Sequence, residues 1–161
     1  MRASPVFPWI GLAVRLAAAG IWLVAGVAKI AGLTAFKAEV AAYDVAPSTL
    51  VEPIAYSLPF IEVALGAYLA VGLLVRPAAA LSVALMLLFI GVQAQAWARG
   101  LSIECGCFGG LSRETVGAGS IARDVALSLP SLLLLIRPAR HLSLDRRLLG
   151  HADAFGVSAA R

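Results

Sequence analysis

Residues 9–31 read WIGLAVRLAAAGIWLVAGVAKIA, an apolar run broken only by Arg15 and Lys29. A helix of about 20 such residues crosses a bilayer. A cleaved signal peptide is the competing reading, with Ala17-Ala18-Ala19-Gly20 as a small-residue cleavage site. Arg15 would then stand inside the apolar region of the signal. The run also continues through Ile21-Trp22-Leu23-Val24, so the segment reads as a retained transmembrane helix.

Three further runs have the same character, from near Val51 to Leu74, near Pro77 to Ala98, and near Gly117 to Ile136. None alternates with period two, and each is about twice the length of a barrel strand, which excludes an outer-membrane barrel. Composition agrees. The 161 residues are 61% hydrophobic and 14% charged, with a mean hydropathy of +0.91. Soluble domains are roughly 45–50% apolar and about 25% charged, so polar surface is too scarce here for a water-facing globule. The same numbers exclude a disordered chain. No fixed period points to repeats, and two cysteines cannot build a disulfide scaffold. The expected fold is all-α, an integral membrane four-helix bundle over residues 1–137. A basic, flexible cytoplasmic tail over 138–161 is expected to follow.

Four spans put both termini on one side. That side would carry Arg2, Arg76, Arg137, Arg140, Arg146, Arg147 and Arg161, and the positive-inside rule makes it cytoplasmic. The net charge of +4 is then a matter of membrane topology and anionic lipid, with no indication of nucleic acid. The loops 32–50 and 100–116 become extracytoplasmic. Within the first, Thr34–Tyr43 has Phe36, Val40 and Tyr43 at helical spacing, which suits a short interfacial helix ended by Pro47.

Both cysteines lie in Ile103-Glu104-Cys105-Gly106-Cys107-Phe108-Gly109-Gly110. Two thiols one residue apart close a disulfide only if the backbone bends sharply, and Gly106 permits the φ this requires. A ring so small is strained, and strained disulfides are the labile or catalytic ones. It also removes little unfolded-chain entropy, so stapling is a poor explanation. Glu104 would raise a neighbouring thiol pKa and Arg113 would lower it. A soft-metal clip on Cys105 and Cys107 is the alternative. A closed zinc site wants four ligands, and His141 and His151 fall on the other side of the membrane.

Ionisable groups inside spans are costly and point to function. Arg15 lies about 9 Å into the first span at a 1.5 Å rise per residue. Lys29 is at its outer end, Glu62 near the middle of the second, and Arg123 and Asp124 in the outer part of the fourth. With Gln93 and Gln95 they outline a polar pocket or proton relay under the cysteine loop. Glu62 needs a partner among Arg15, Lys29 and Arg123. Pro59 should loosen the helix beside it.

The sequence resembles the methylamine-utilisation protein MauE family, within the broader DoxX-like membrane proteins. The resemblance rests on Arg15 with Ala25-Gly26-Val27-Ala28-Lys29-Ile30, Val40-Ala41-Ala42-Tyr43 with Pro47, and Leu58-Pro59-Phe60-Ile61-Glu62 with Gly66. It continues in Cys105-Gly106-Cys107-Phe108-Gly109 and Arg123. Asp124 stands where such proteins are expected to carry asparagine. The resemblance implies a four-helix membrane bundle that handles disulfides of exported proteins beside a thioredoxin-like partner, with quinone-linked oxidation among its relatives. The matching location is the plasma membrane of a bacterium.

One cysteine pair holds two electrons, and the chain has no second pair to carry them across the membrane. The leading expectation is therefore a thiol–disulfide oxidoreductase. Cys105 and Cys107 would exchange with an extracytoplasmic thioredoxin-like or secreted protein, with quinone as the candidate acceptor. The alternatives are a non-enzymatic assembly partner that binds copper through the cysteines, and a small transporter, which four short helices accommodate only as a homo-oligomer.

Overall fold

The computed structural model describes residues 6–109 and 114–137, with side chains from Trp9 onward. The tail 138–161, with His141 and His151, lies outside the described residues, as do Arg2 and Arg113. Five helices follow in order: α1 (Val6–Ala31), α2 (Leu33–Ala42), α3 (Ser48–Val71), α4 (Val75–Ala98) and α5 (Ala118–Ile136). Among the described residues there is no named strand, and Glu104 and Thr115 form an isolated antiparallel bridge. Helices α1, α3, α4 and α5 are long and apolar enough to cross a membrane. The short α2 is the helix expected between the first two spans.

Several boundaries differ from the hydropathy reading, α1 opening at Val6 rather than near Trp9 and the second span at Ser48 rather than near Val51. The second span ends at Val71 rather than Leu74, because Gly72 adopts a left-handed conformation (φ 74°) and its N–H closes onto the Tyr68 carbonyl. Leu73 and Leu74 are apolar but belong to the turn, which hydropathy does not register. The third span opens at Val75, two residues before Pro77, since proline is tolerated in a first helical turn.

α1 packs most extensively against α3, and α4 against α5. The first of these contacts is close because glycine permits it. A Cβ at Gly26 would lie 2.7 Å from Val63 Cγ2 and 2.8 Å from the Pro59 carbonyl. One at Gly66 would lie 2.8 Å from Leu23 Cγ. Trp22, Leu65, Leu69, Ala79, Met86 and Leu134 form the apolar core. A polar thread runs through it. The Trp22 indole donates to Ser82 Oγ, and Ser82 Oγ lies 2.6 Å from Ser131 Oγ, tying α1, α4 and α5. Leu16, Val27, Leu87 and Leu133 face outward, as a lipid-facing surface requires.

At one end of the bundle, α2 and the loop between α4 and α5 meet. Arg99 bonds the Tyr43 carbonyl at 3.2 Å and pairs with Asp44 at 3.2 Å. This fastens the α2–α3 corner to the end of α4.

Candidate functional site

The cysteine loop leaves α4 at Gly100 and is gathered by two backbone bonds, from Cys105 N–H to the Glu114 carbonyl and from Val116 N–H to the Ile103 carbonyl. Gly106 has φ +68°, and Cys105 and Cys107 form a disulfide with their Cα atoms 5.5 Å apart. Gly106 sits so close to α2 that a Cβ there would lie 2.5 Å from Glu39 Oε2. Gly109 rests on the last turn of α1, against the Ala28 carbonyl and the Lys29 amide. The Tyr43 hydroxyl donates to the Cys105 carbonyl at 2.8 Å. The loop is thus held against α1 and α2 as well as its own flanks.

The two sulfurs meet different groups. Arg123 Nη2 lies 3.4 Å from Cys105 Sγ. Its guanidinium also pairs with Glu114 at 2.5 Å and Asp124 Oδ1 at 3.0 Å, and lies over the Phe108 ring. Asp124 Oδ2 lies 3.1 Å from Cys107 Sγ. The Gln93 amide donates to Asp124 Oδ2 at 2.6 Å and approaches Cys107 Sγ at 3.3 Å. Among the described residues the cation beside Cys105 is Arg123; Arg113 lies outside them. Of the two glutamines at the end of the third span, Gln93 is buried and Gln95 faces outward.

Among the candidate partners for Glu62, the structure selects Lys29. Lys29 Nζ lies 2.5 Å from Glu62 Oε1, and both side chains are out of solvent contact. The ammonium is also flanked by the Phe36 and Phe89 rings, with centroids at 5.2 and 5.0 Å. Arg15 is buried in α1, but fourteen residues before Lys29, which is about 21 Å along the helix. It is not part of the group around the sulfurs.

An apolar cavity of about 220 Å³ lies against the disulfide. Both cysteines, Lys29 and Gln93 contribute to its wall, with Ile54 and Leu58 from α3 and Leu88, Phe89 and Val92 from α4. Glu62 stands behind Lys29. Arg123 and Asp124 touch the sulfurs without lining the cavity.

Glu39 and Tyr43 carry chemistry that spacing alone assigned to a surface helix. Burial raises the Glu39 carboxyl above its ordinary value, nearby Glu104 adds to the rise, and Lys29 opposes it. Burial likewise pushes the Tyr43 phenol up to about 12, helped by Asp124 and Glu39 and opposed by Arg123. Both residues precede the cysteines by more than sixty positions, and their helical spacing in Thr34–Tyr43 was the one available signal. Glu114, which holds Arg123, had none.

Cys105 Sγ, Cys107 Sγ and an Asp124 oxygen lie within 4.8 Å of one another, a grouping with which reduced cysteines could grip a cation. The guanidinium 3.4 Å from Cys105 Sγ opposes that use, since it already places a positive charge there.

No curated protein and no solved structure matches the chain. Residues 7–137 match the family described as methylamine utilisation protein MauE. That stretch takes in all four apolar helices, the cysteine loop and every charged group around it, and on this match the chain belongs to the MauE family.

Proposed function

We propose that this protein is a membrane thiol–disulfide oxidoreductase. The Cys105–Cys107 pair accepts electrons from an extracytoplasmic thioredoxin-like or secreted dithiol protein and passes them to a quinone. The cysteine loop then faces the extracytoplasmic side of a bacterial plasma membrane, with both termini cytoplasmic. The observation that carries this reading is a disulfide forming part of the wall of an apolar cavity between two membrane-length helices.

The residues present suit a quinone headgroup. An apolar cavity of roughly 150 Å³ accommodates a benzene ring, and this one is about 220 Å³. Phe36 and Phe89 offer ring faces, and the Lys29 ammonium offers a donor to a carbonyl oxygen. A bound quinone would take up two electrons and two protons as the dithiol closes to the disulfide. The chain's part is to hold Cys105 and Cys107 at the cavity wall and to keep water out with apolar side chains. Lys29 and Glu62 keep a polar pair at its inner side.

The test is the oxidation state of Cys105 and Cys107 in native membranes, trapped by alkylation and read as a mass shift, with added quinone or quinol. A disulfide fraction that rises with quinone and falls with quinol supports the reading. A fraction indifferent to both overturns it. Thiols that stay shielded until a chelator is added would establish the soft-metal alternative.

A further inference from the structure

The geometry assigns different roles to the two sulfurs: an incoming thiolate is joined to Cys107, and Cys105 departs as a thiolate received by Arg123. This rests on the reading of the pair as an exchanging disulfide. It adds which bond forms, where the charge goes and which residues decide it.

In thiol–disulfide exchange, attack on one sulfur expels the other, and the rate rises as the leaving sulfur becomes a more stable thiolate. The surroundings of the two are opposed in sign. Cys105 Sγ has the Arg123 guanidinium at 3.4 Å. Glu114 and Asp124 Oδ1 hold that guanidinium in place. Cys107 Sγ has the Asp124 Oδ2 carboxylate at 3.1 Å. Among the described residues its hydrogen-bond donor is the Gln93 amide at 3.3 Å, shared with that carboxylate at the shorter distance of 2.6 Å. Negative charge is therefore welcome on Cys105 and repelled on Cys107. Access points the same way, because Cys105 is 4% exposed and Cys107 is the more exposed of the two. Cys105 is also tethered through its carbonyl by Tyr43 and through its N–H by Glu114.

The step balances as follows. The partner's thiolate forms a bond to Cys107 Sγ, the Cys105–Cys107 bond breaks, and its electron pair goes to Cys105 Sγ beside Arg123. The partner's second thiol gives its proton to Asp124 and attacks the partner's own sulfur in the mixed disulfide. Cys107 leaves with the proton relayed by Asp124, as a neutral thiol. The partner has lost two electrons, and the pair holds them as one thiolate and one thiol.

The experiment uses full-length oxidised protein in lipid nanodiscs, limiting reduced glutathione as the probe, an acid quench, alkylation, and fragmentation of the peptide carrying both cysteines. The expected product has glutathione on Cys107 and the alkyl group on Cys105, in excess over the reverse by about tenfold or more. Equal amounts, or glutathione mainly on Cys105, overturn the assignment while leaving an exchanging disulfide. A disulfide that glutathione does not open overturns both. Arg123→Gln should slow opening by about tenfold and erase the preference, with Arg123→Lys restoring part of each. Asp124→Asn should relax the preference, because the carboxylate beside Cys107 Sγ is then gone. A preference unchanged in both Arg123→Gln and Asp124→Asn would show that these residues do not decide it. Because the wild-type adduct ratio needs no variant to fold, it decides the central assignment by itself.

Discussion

Lys29 and Glu62 form an ion pair of 2.5 Å between α1 and α3, with neither side chain in contact with solvent. Lys29 contributes to the wall of the cavity that borders the disulfide, and Glu62 stands behind it. Removing one partner leaves the other charge buried and uncompensated. Glu62→Gln is expected to destabilise the bundle by about 3 kcal/mol. The double variant Lys29→Met, Glu62→Leu should cost less than either single change, because no charge is then left alone. Thermal unfolding in detergent checks the order, and a double variant less stable than Glu62→Gln would contradict it.

The contact between α1 and α3 depends on hydrogen atoms where other residues carry a methyl. A Cβ at Gly66 would meet Leu23 Cγ at 2.8 Å and the Ala19 carbonyl at 3.0 Å, whereas one at Gly20 meets nothing within 4 Å. Gly66→Ala should therefore destabilise by about 1–3 kcal/mol through overpacking. Gly20→Ala should be neutral or stabilise by up to about 1 kcal/mol through helix propensity. Midpoints of unfolding for the two variants, compared side by side, provide the measurement.

Gly106 has φ +68°, and a residue with a Cβ held there costs about 1–2 kcal/mol. Gly106→Ala would also push the Cβ against Glu39 Oε2. The expected result is a larger fraction of reduced cysteines than in the wild type at the same redox buffer, read by alkylation. An unchanged fraction would mean that the bend does not hold the sulfurs together.

The Tyr43 phenol is pushed up to about 12 from an ordinary 10.0, chiefly by burial. A group whose folded pKa is raised contributes stability that is complete below its unfolded pKa and is lost as pH rises through the folded value. The stability tied to the Tyr43 phenol should therefore be complete below pH 10 and fall away between 10 and about 12, while in the folded protein the bond to the Cys105 carbonyl persists until the upper value. Tyr43→Phe is expected to cost about 1 kcal/mol at neutral pH and to flatten stability across that alkaline window. Phenolate absorbance and unfolding followed together against pH test this, and a variant as pH-sensitive as the wild type would refute it.

Fold class, the four membrane-length helices and the short α2 were legible in the chain because they follow from local quantities. The length of an apolar run and the 3.6-residue spacing of Phe36, Val40 and Tyr43 need no knowledge of neighbours. The same holds for Gly106 between two cysteines, where a bend is required whatever surrounds it. Local quantities failed at Leu73 and Leu74, where a left-handed glycine turns the chain inside an unbroken apolar run.

Partnership was beyond their reach. Depth along each span brought Lys29, Gln93, Arg123 and Asp124 to a similar level with Glu62 somewhat deeper, and it left Arg15, Lys29 and Arg123 all open as the partner of Glu62. Helix rotation and the close α1–α3 packing allowed by Gly26 and Gly66 gave it Lys29. Arg15 is on the same helix but about 21 Å away. The approach of Arg123 to Cys105 and of Asp124 to Cys107 is likewise a product of assembly. Adjacent residues on α5 reach different sulfurs because the loop is folded down onto α1 and α2. Periodicity depends on the chain alone, so the sequence carries it; the sign of the charge beside each sulfur depends on how helices distant in sequence are turned and packed, which the tertiary structure alone decides.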